Sequence, residues 1–141
     1  MTDELLKIAA YYHGSPQKLD RIKSQQAKGL GEFQNQKAVF TTETLDHAKL
    51  YALAKGLKGK TTFSVSPSHG IVVVGDHLLP EKGYVYRLQG RKVVRGKNEV
   101  ALLGRGYKPR ETIEVLRSEI EPRVRRVKDR EALLALLKGK I

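Results

Sequence analysis

The segment Tyr12-His13-Gly14-Ser15 combines residue types that can bind a nucleotide. Glycine has no β-carbon, so its backbone can approach a ligand closely, and its N–H and C=O can pair with a carboxamide. The His13 imidazole and the Ser15 hydroxyl can hydrogen-bond ribose hydroxyls. Lys7 to Tyr12 is apolar and predicts a strand that stops at Gly14. A plain turn after that strand explains the same residues without a ligand.

A second segment supplies two aromatic side chains that can enclose a flat ring. Phe40 lies in a predicted strand over residues 38–41, and Tyr51 follows eleven positions later on a predicted helix. Aromatic faces stack on planar heterocycles without requiring a particular charge. The alternative is that both aromatic residues belong to the hydrophobic core.

These segments resemble the ADP-ribosyltransferases of the diphtheria-toxin and poly-ADP-ribose polymerase branch. In that family a His-Gly-Ser or His-Gly-Thr opens the NAD site, and a strand with a Tyr-Phe pair precedes a helix with a second tyrosine. The matching stretches here are His13-Gly14-Ser15, Val39-Phe40 and Ala48-x-x-Tyr51. The Tyr-His-Gly start is also similar to that of small bacterial and phage proteins such as the rifamycin-modifying transferases.

The resemblance implies NAD as co-substrate and a role for each matched residue. His13 would contact the ribose on the adenosine side, and it is a candidate catalytic residue together with the acid described below. Gly14 would hold the nicotinamide amide through its backbone, and Ser15 would support the nicotinamide end. Phe40 and Tyr51 would stack on both faces of the ring. Phe40 stands where the family usually has tyrosine, so the stacking surface is kept and a hydroxyl is lost.

The family also has an acid at the start of a late strand, and Glu99 resembles it best. Cleavage of the nicotinamide–ribose bond develops positive charge on the sugar, which a nearby carboxylate stabilises most in the transition state. Glu114 is the second candidate, and a solvated acid beside Lys97 is the alternative for Glu99. Lys97 occupies a position where toxin-type enzymes often have glutamine or glutamate, which leaves the acceptor of ADP-ribose open.

The elements that must position these residues begin with predicted helices. Leu19 and Ile22, three apart after Pro16, predict a first helix, and residues 28–36 predict a loop. The helix that carries Tyr51 is predicted to begin at an N-cap, Thr42 or Thr44, and to end near Gly56.

The second half of the chain predicts mainly strands. Short β-branched or aromatic runs, separated by glycine and proline, predict strands at 61–66, 70–74, 83–88, 91–94, 99–103 and 112–116. A last helix is predicted at 129–138. Early helices followed by many strands predict an α+β fold. The resemblance implies an ADP-ribosyltransferase-like split β-sandwich with a C-terminal helix, in one domain over residues 1–141.

The composition favours some partners and excludes cysteine-dependent sites. Among 141 residues, 27 Lys and Arg against 15 Asp and Glu give a net charge of +12, which attracts polyanions such as DNA and RNA. A solvated surface explains the same charge, including the basic stretch 123–130. The absence of cysteine excludes disulfides and cysteine-ligated zinc, and four scattered histidines predict no metal site. Without a membrane-length apolar stretch or a basic N-terminus, we expect a cytoplasmic protein.

The resulting hypothesis is an NAD-dependent mono-ADP-ribosyltransferase, a phage or toxin-like effector, acting on a nucleic acid or a nucleic-acid-bound protein. One alternative is an inactive domain of the same fold that binds nucleic acid. Another is an RNA 2′-phosphotransferase, which shares the fold but needs spaced arginines and a second histidine. His47 and His69 do not fall in that pattern, and we expect both, with His77, on the surface.

Overall fold

The structure is a computed structural model that describes residues 10–23, 25–26, 37–90, 93–96, 99–103 and 106–139. Within these ranges it is an α+β protein made mostly of short strands, with three short α-helices. The strands are β1 (Ala10–Ser15), β2 (Ile22–Lys23), β3 (Gln25–Gln26), β4 (Lys37–Thr41), β5 (Phe63–Ser66), β6 (Gly70–Val74), β7 (Lys82–Gln89), β8 (Val93–Arg95), β9 (Val100–Leu102), β10 (Gly106–Tyr107), β11 (Glu111–Leu116) and β12 (Val124–Val127). The helices are α1 (Leu45–Ala54), α2 (Arg117–Ile120) and α3 (Arg130–Leu137), and 3-10 turns follow α1 at Lys55–Leu57 and α2 at Glu121–Arg123. None of the helices in these ranges is both long and apolar enough to cross a bilayer.

The strands form small sheets, two of which meet at β1 and β4. An antiparallel sheet has the order β1-β7-β11, and a second antiparallel sheet has the order β3-β4-β9-β8. A third has the order β12-β6-β5, in which β12 runs parallel to β6, and β10 pairs with β2. A backbone bridge between Tyr12 and Thr42 joins β1 to the chain just after β4.

Helix α1 lies directly against β1 and β7 because small residues face each other there. A β-carbon at Gly14 of β1 would stand 2.4 Å from the Ala48 carbonyl oxygen, and one at Gly83 of β7 would stand 2.7 Å from the Ala52 carbonyl oxygen. The N-cap of the helix is Thr44, whose side chain accepts a hydrogen bond from the His47 N–H. The elements that carry the predicted ligand residues are thereby held in close contact.

Two main groups of buried apolar side chains flank the β1-β7-β11 sheet. One group packs α1 against β6, β7 and β11 and includes Leu50, Leu53 and Val85. The other lies between β1, β7 and the sheet of β4 and β9, and includes Tyr11, Tyr86 and other residues of those strands. Burial on both faces explains why β7 is apolar along much of its length.

Several sequence predictions are confirmed within the described ranges. The strand at 70–74 and the helix after Asp129 are present, and Asp129 caps the helix by accepting from the Ala132 N–H. Thr44, rather than Thr42, is the N-cap of α1. α1 ends at Ala54 and continues as a 3-10 turn that contains Gly56. The loop predicted over 28–36 and the start of the first predicted strand lie outside the described residues.

The helix predicted after Pro16 is wrong. Residues 16–21 are not helical, and Ile22 begins the two-residue strand β2, which pairs with β10. Ile22 is buried in the same group of apolar side chains as Tyr86, and Leu19 packs against that group. Leu19 and Ile22 therefore both contact the core, but from non-helical chain and a strand. The early part of the described chain therefore has one helix, α1, where more were expected. Helix α2 was not predicted.

We expect Gly83→Ala to destabilise the protein by about 1–3 kcal/mol, because the added methyl would press on the backbone of Ala52. Urea unfolding followed by circular dichroism measures the change. Lys82→Ala, on the exposed neighbour in the same strand, is the control and should stay within about 0.5 kcal/mol of the wild type. Equal stability of the two variants would contradict the close contact of α1 with β7.

Candidate functional site

A small pocket lies where β1, β4, α1 and the start of β9 meet. It is lined by Tyr12, Gly14, Phe40, Thr41, Thr42, Tyr51, Lys55 and Glu99. Four of the residues singled out from the sequence therefore meet in one cavity: Gly14, Phe40, Tyr51 and Glu99. The cavity measures about 40 Å³, far less than the roughly 300–1,000 Å³ of an ordinary ligand site. A ring-sized ligand enters only if lining side chains move.

The backbone of Gly14 faces this pocket because of how β1 is paired. Tyr12 donates its N–H to the Thr42 carbonyl at 2.8 Å and accepts from the Thr42 N–H at 2.9 Å, on the side of β1 away from β7. The N–H and C=O groups of alternate residues in a strand point the same way. The two groups of Gly14 therefore point to the same side, just beyond the point where β1 and β4 part.

Glu99 reaches the pocket from the start of β9, which is held beside β4. Val100 pairs with Thr41, so the residue before it comes level with the end of β4. The Tyr51 hydroxyl donates to Glu99 Oε1 at 3.2 Å. Burial and the adjacent carboxylate raise the pKa of the Tyr51 hydroxyl well above its usual value, so Tyr51 stays a hydrogen-bond donor.

Lys55 is a pocket residue that the sequence analysis did not select. Its ammonium donates to the Gly14 carbonyl oxygen at 2.6 Å. Burial, followed by repulsion from Lys58, lowers the pKa of Lys55 to about 8. Lys55 follows Tyr51 by four positions and Ala48 by seven, so helical spacing places all three on one face and was the available indication.

His13 and Ser15 lie beside the pocket and do not line it. His13 Nδ1 is 2.8 Å from the Phe40 carbonyl oxygen, which can only accept, so Nδ1 carries the proton. Burial, with the Lys55 cation as the next cause, lowers the pKa of His13 to about 3. His13 thereby ties β1 to β4 as a neutral imidazole. The Ser15 hydroxyl oxygen is buried and accepts from the Gln17 N–H at 3.2 Å.

His47 was expected on the surface, and that prediction is wrong. Its side chain is only 3% exposed and lies against the ring of Tyr51, with ring centroids 4.9 Å apart. Its Nε2 atom is buried without a hydrogen-bond partner among the described residues. Burial lowers the pKa of His47 and favours its neutral form. The imidazole therefore packs against the Tyr51 ring as a neutral group. His69 and His77 are exposed, as predicted.

Glu114, the second candidate for the acid, lies away from this pocket. It is exposed on β11 and lines a different groove with Lys82, Arg117 and their neighbours. In the part of the chain that the structure describes, no three His, Asp or Glu side chains are grouped to hold a metal ion. The described acid that meets the aromatic residues and Gly14 in the pocket is Glu99.

No protein-family model, curated protein or solved structure matches the chain. The pocket is therefore interpreted from its own geometry. It combines the backbone of a glycine, three aromatic residues, a carboxylate and an ammonium. This combination suits a planar polar ring attached to a hydroxylated group.

We expect His13→Asn to change how stability depends on acidity. The unfolded chain protonates His13 near the ordinary pKa of 6.5, the folded chain only near 3, so the wild type loses stability as pH falls between these values. Asparagine can still donate to the Phe40 carbonyl but does not titrate. The variant should lose on the order of 3 kcal/mol less than the wild type between pH 6.5 and 4.

Urea unfolding at a series of pH values measures this difference. His69→Asn, at an exposed histidine, is the matched control. If the two variants lose stability in parallel on acidification, the buried neutral imidazole is refuted.

Proposed function

We propose that the protein is an NAD-dependent mono-ADP-ribosyltransferase whose reaction takes place in the pocket around Gly14 and Glu99. The single observation that supports this most is the convergence of Gly14, Phe40, Tyr51 and Glu99, from distant parts of the chain, on one cavity. These residues were selected from the sequence for a pyridine ring and its ribose. A common location is what that chemistry requires.

In the proposed reaction, the bond between the pyridine nitrogen and ribose C1′ breaks, and its electron pair leaves with the ring. A nucleophile of the acceptor then bonds to C1′ and releases its proton to water. Glu99, hydrogen-bonded to the ribose 2′-hydroxyl, stabilises the positive charge that develops on the sugar. Phe40 and Tyr51 hold the ring by stacking, and the Gly14 backbone orients its substituent.

Binding of the dinucleotide requires the small pocket to open. In the structure the Tyr51 hydroxyl donates to Glu99 Oε1. In the complex, a ribose hydroxyl would replace the Tyr51 hydroxyl as the donor to this carboxylate. Rotation of Tyr51 would free both the acid and the space for the ring. His13 lies at the edge of the pocket and holds β1 and β4 together through its hydrogen bond to the Phe40 carbonyl.

We expect Glu99→Gln to lower the rate of NAD cleavage by about 10²–10³-fold, because it removes the charge opposite the developing cation and leaves the shape. Release of nicotinamide from NAD, with and without added DNA, RNA or protein, measures the rate. Glu114→Gln is the matched control and should leave the rate unchanged, since Glu114 lines another groove. NAD cleavage that Glu99→Gln does not affect, or no cleavage by the wild type, would reject the proposed enzyme.

Nucleic acid is the acceptor that the described surface favours. A groove of about 600 Å³ is lined by Arg21, Gln89, Gly106, Tyr107, Lys108, Pro109 and Arg110, and no acid is among these residues. By contrast, two arginines of the basic stretch 123–130 are neutralised, Arg123 by Asp46 and Arg126 by Glu121. Three cations without an ion pair in the described structure, next to an aromatic ring, suit phosphates and a stacked base.

We expect the double variant K108A/R110A to bind single-stranded DNA or RNA more weakly and with a salt slope lower by about 2. Fluorescence anisotropy at several salt concentrations measures both effects. R125A/K128A removes the same charge from exposed positions elsewhere and is the control. If both doubles weaken binding equally, the groove has no specific role and net charge alone explains binding.

A further inference from the structure

The ammonium of Lys55 lies against the Gly14 carbonyl oxygen, where the substituent of a bound pyridine ring would meet the backbone. We propose that the pocket selects a ring whose substituent is a carboxylate, so that the dinucleotide it binds best is nicotinic acid adenine dinucleotide and not NAD. This inference rests on the proposed function, since it assumes that the ring substituent meets Gly14. It changes the class of substrate from a carboxamide to an acid.

The first step is the hydrogen-bond requirement of a carboxamide. Its NH₂ group needs an acceptor and its oxygen needs a donor, and the C=O and N–H of Gly14 offer one of each. The Gly14 carbonyl, however, already accepts from Lys55 Nζ at 2.6 Å. An ammonium has three donors and no acceptor. The second lone pair of the Gly14 carbonyl could still accept from a carboxamide NH₂, but that NH₂ would then lie beside the Lys55 ammonium, a donor with a full positive charge, which disfavours it.

A carboxylate has the opposite requirement, and the same atoms meet it. Its two oxygens only accept, so one can receive the Gly14 N–H and the other a second N–H of Lys55, while Lys55 keeps its bond to the Gly14 carbonyl. The resulting hydrogen bonds are charge-assisted, which makes them about twice as strong as neutral ones. Lys55 then becomes the residue that determines specificity.

The charges around Lys55 support an anionic ligand. Lys58 is a second cation close enough to disfavour the charge of Lys55, and the lowered pKa of Lys55, about 8, reflects burial first and Lys58 next. Glu99 favours the charged form of Lys55 and so raises its pKa, but this effect is smaller than those of burial and Lys58. The Glu99 carboxylate also accepts a hydrogen bond from Tyr51. Lys55 remains predominantly charged at neutral pH, and a ligand carboxylate at Gly14 would place a negative charge beside Lys55 with Lys58 nearby.

The test compares the two dinucleotides with the same protein. Titration calorimetry at pH 7 should give the wild type on the order of tenfold higher affinity for nicotinic acid adenine dinucleotide than for NAD. Lys55→Met removes the ammonium and keeps the length of the side chain, so the preference should be lost or reversed. Lys58→Met lowers the net charge equally but leaves the bond to Gly14, so the preference should be kept.

Other outcomes would overturn the inference. If the wild type binds NAD as tightly as the acid, or if Lys55→Met and Lys58→Met change the ratio equally, Lys55 does not select the ligand. Because the wild-type ratio alone can refute it, the test does not depend on the folding of a variant. NAD cleavage that depends on Glu99 without this preference would overturn only the inference, whereas failure to bind either dinucleotide would overturn the proposed function as well.

Discussion

The close contact between α1 and β1 is the constraint on which the pocket depends. Gly14 leaves no room for a side chain against the backbone of Ala48 and Ala52, so the helix lies as near to the strand as main-chain atoms allow. Tyr51 and Lys55 share the helical face that meets β1, and both therefore end within reach of the Gly14 backbone. A larger residue at position 14 would move the helix outward and separate the ligand-binding backbone from the side chains that complete the cavity.

The second requirement is that β1 and β4 part at the correct residue. Tyr12 and Thr42 still exchange two hydrogen bonds, whereas Gly14, two positions further, has its carbonyl bonded to a side chain. His13 stabilises this junction from the other side by bonding Phe40. Because Nδ1 must donate and burial opposes a charge, His13 is held as a neutral imidazole. A residue selected for ligand contact thus has a structural role, and that role requires the tautomer with the proton on Nδ1.

The sequence predicted the α+β class, most strands and the helix of Tyr51, because alternating β-branched runs and a clear N-cap are local signals. It also selected residues that share one pocket. It failed where the outcome depended on tertiary partners. Ile22 belongs to a strand only because β10 pairs with it, and His47 is buried because other elements pack against α1. Lys55 was overlooked because a lysine is normally exposed, and nothing local shows that its ammonium would find the Gly14 carbonyl.

The polar groups of the pocket form hydrogen bonds with one another, and these bonds limit which ligands can enter. Tyr51 donates to Glu99 and Lys55 donates to the Gly14 carbonyl, so the carboxylate, the carbonyl and the ammonium that would recognise a ligand already have protein partners. A ligand gains little by replacing one of these bonds with an equal one, since a partner left unpaired in a buried site costs more than a hydrogen bond contributes. Only a ligand that satisfies both ends of the cavity restores what it disrupts: a hydroxyl donor for Glu99 and a substituent compatible with Lys55. Selectivity in this small cavity therefore follows from the bonds that must be exchanged and only secondarily from shape.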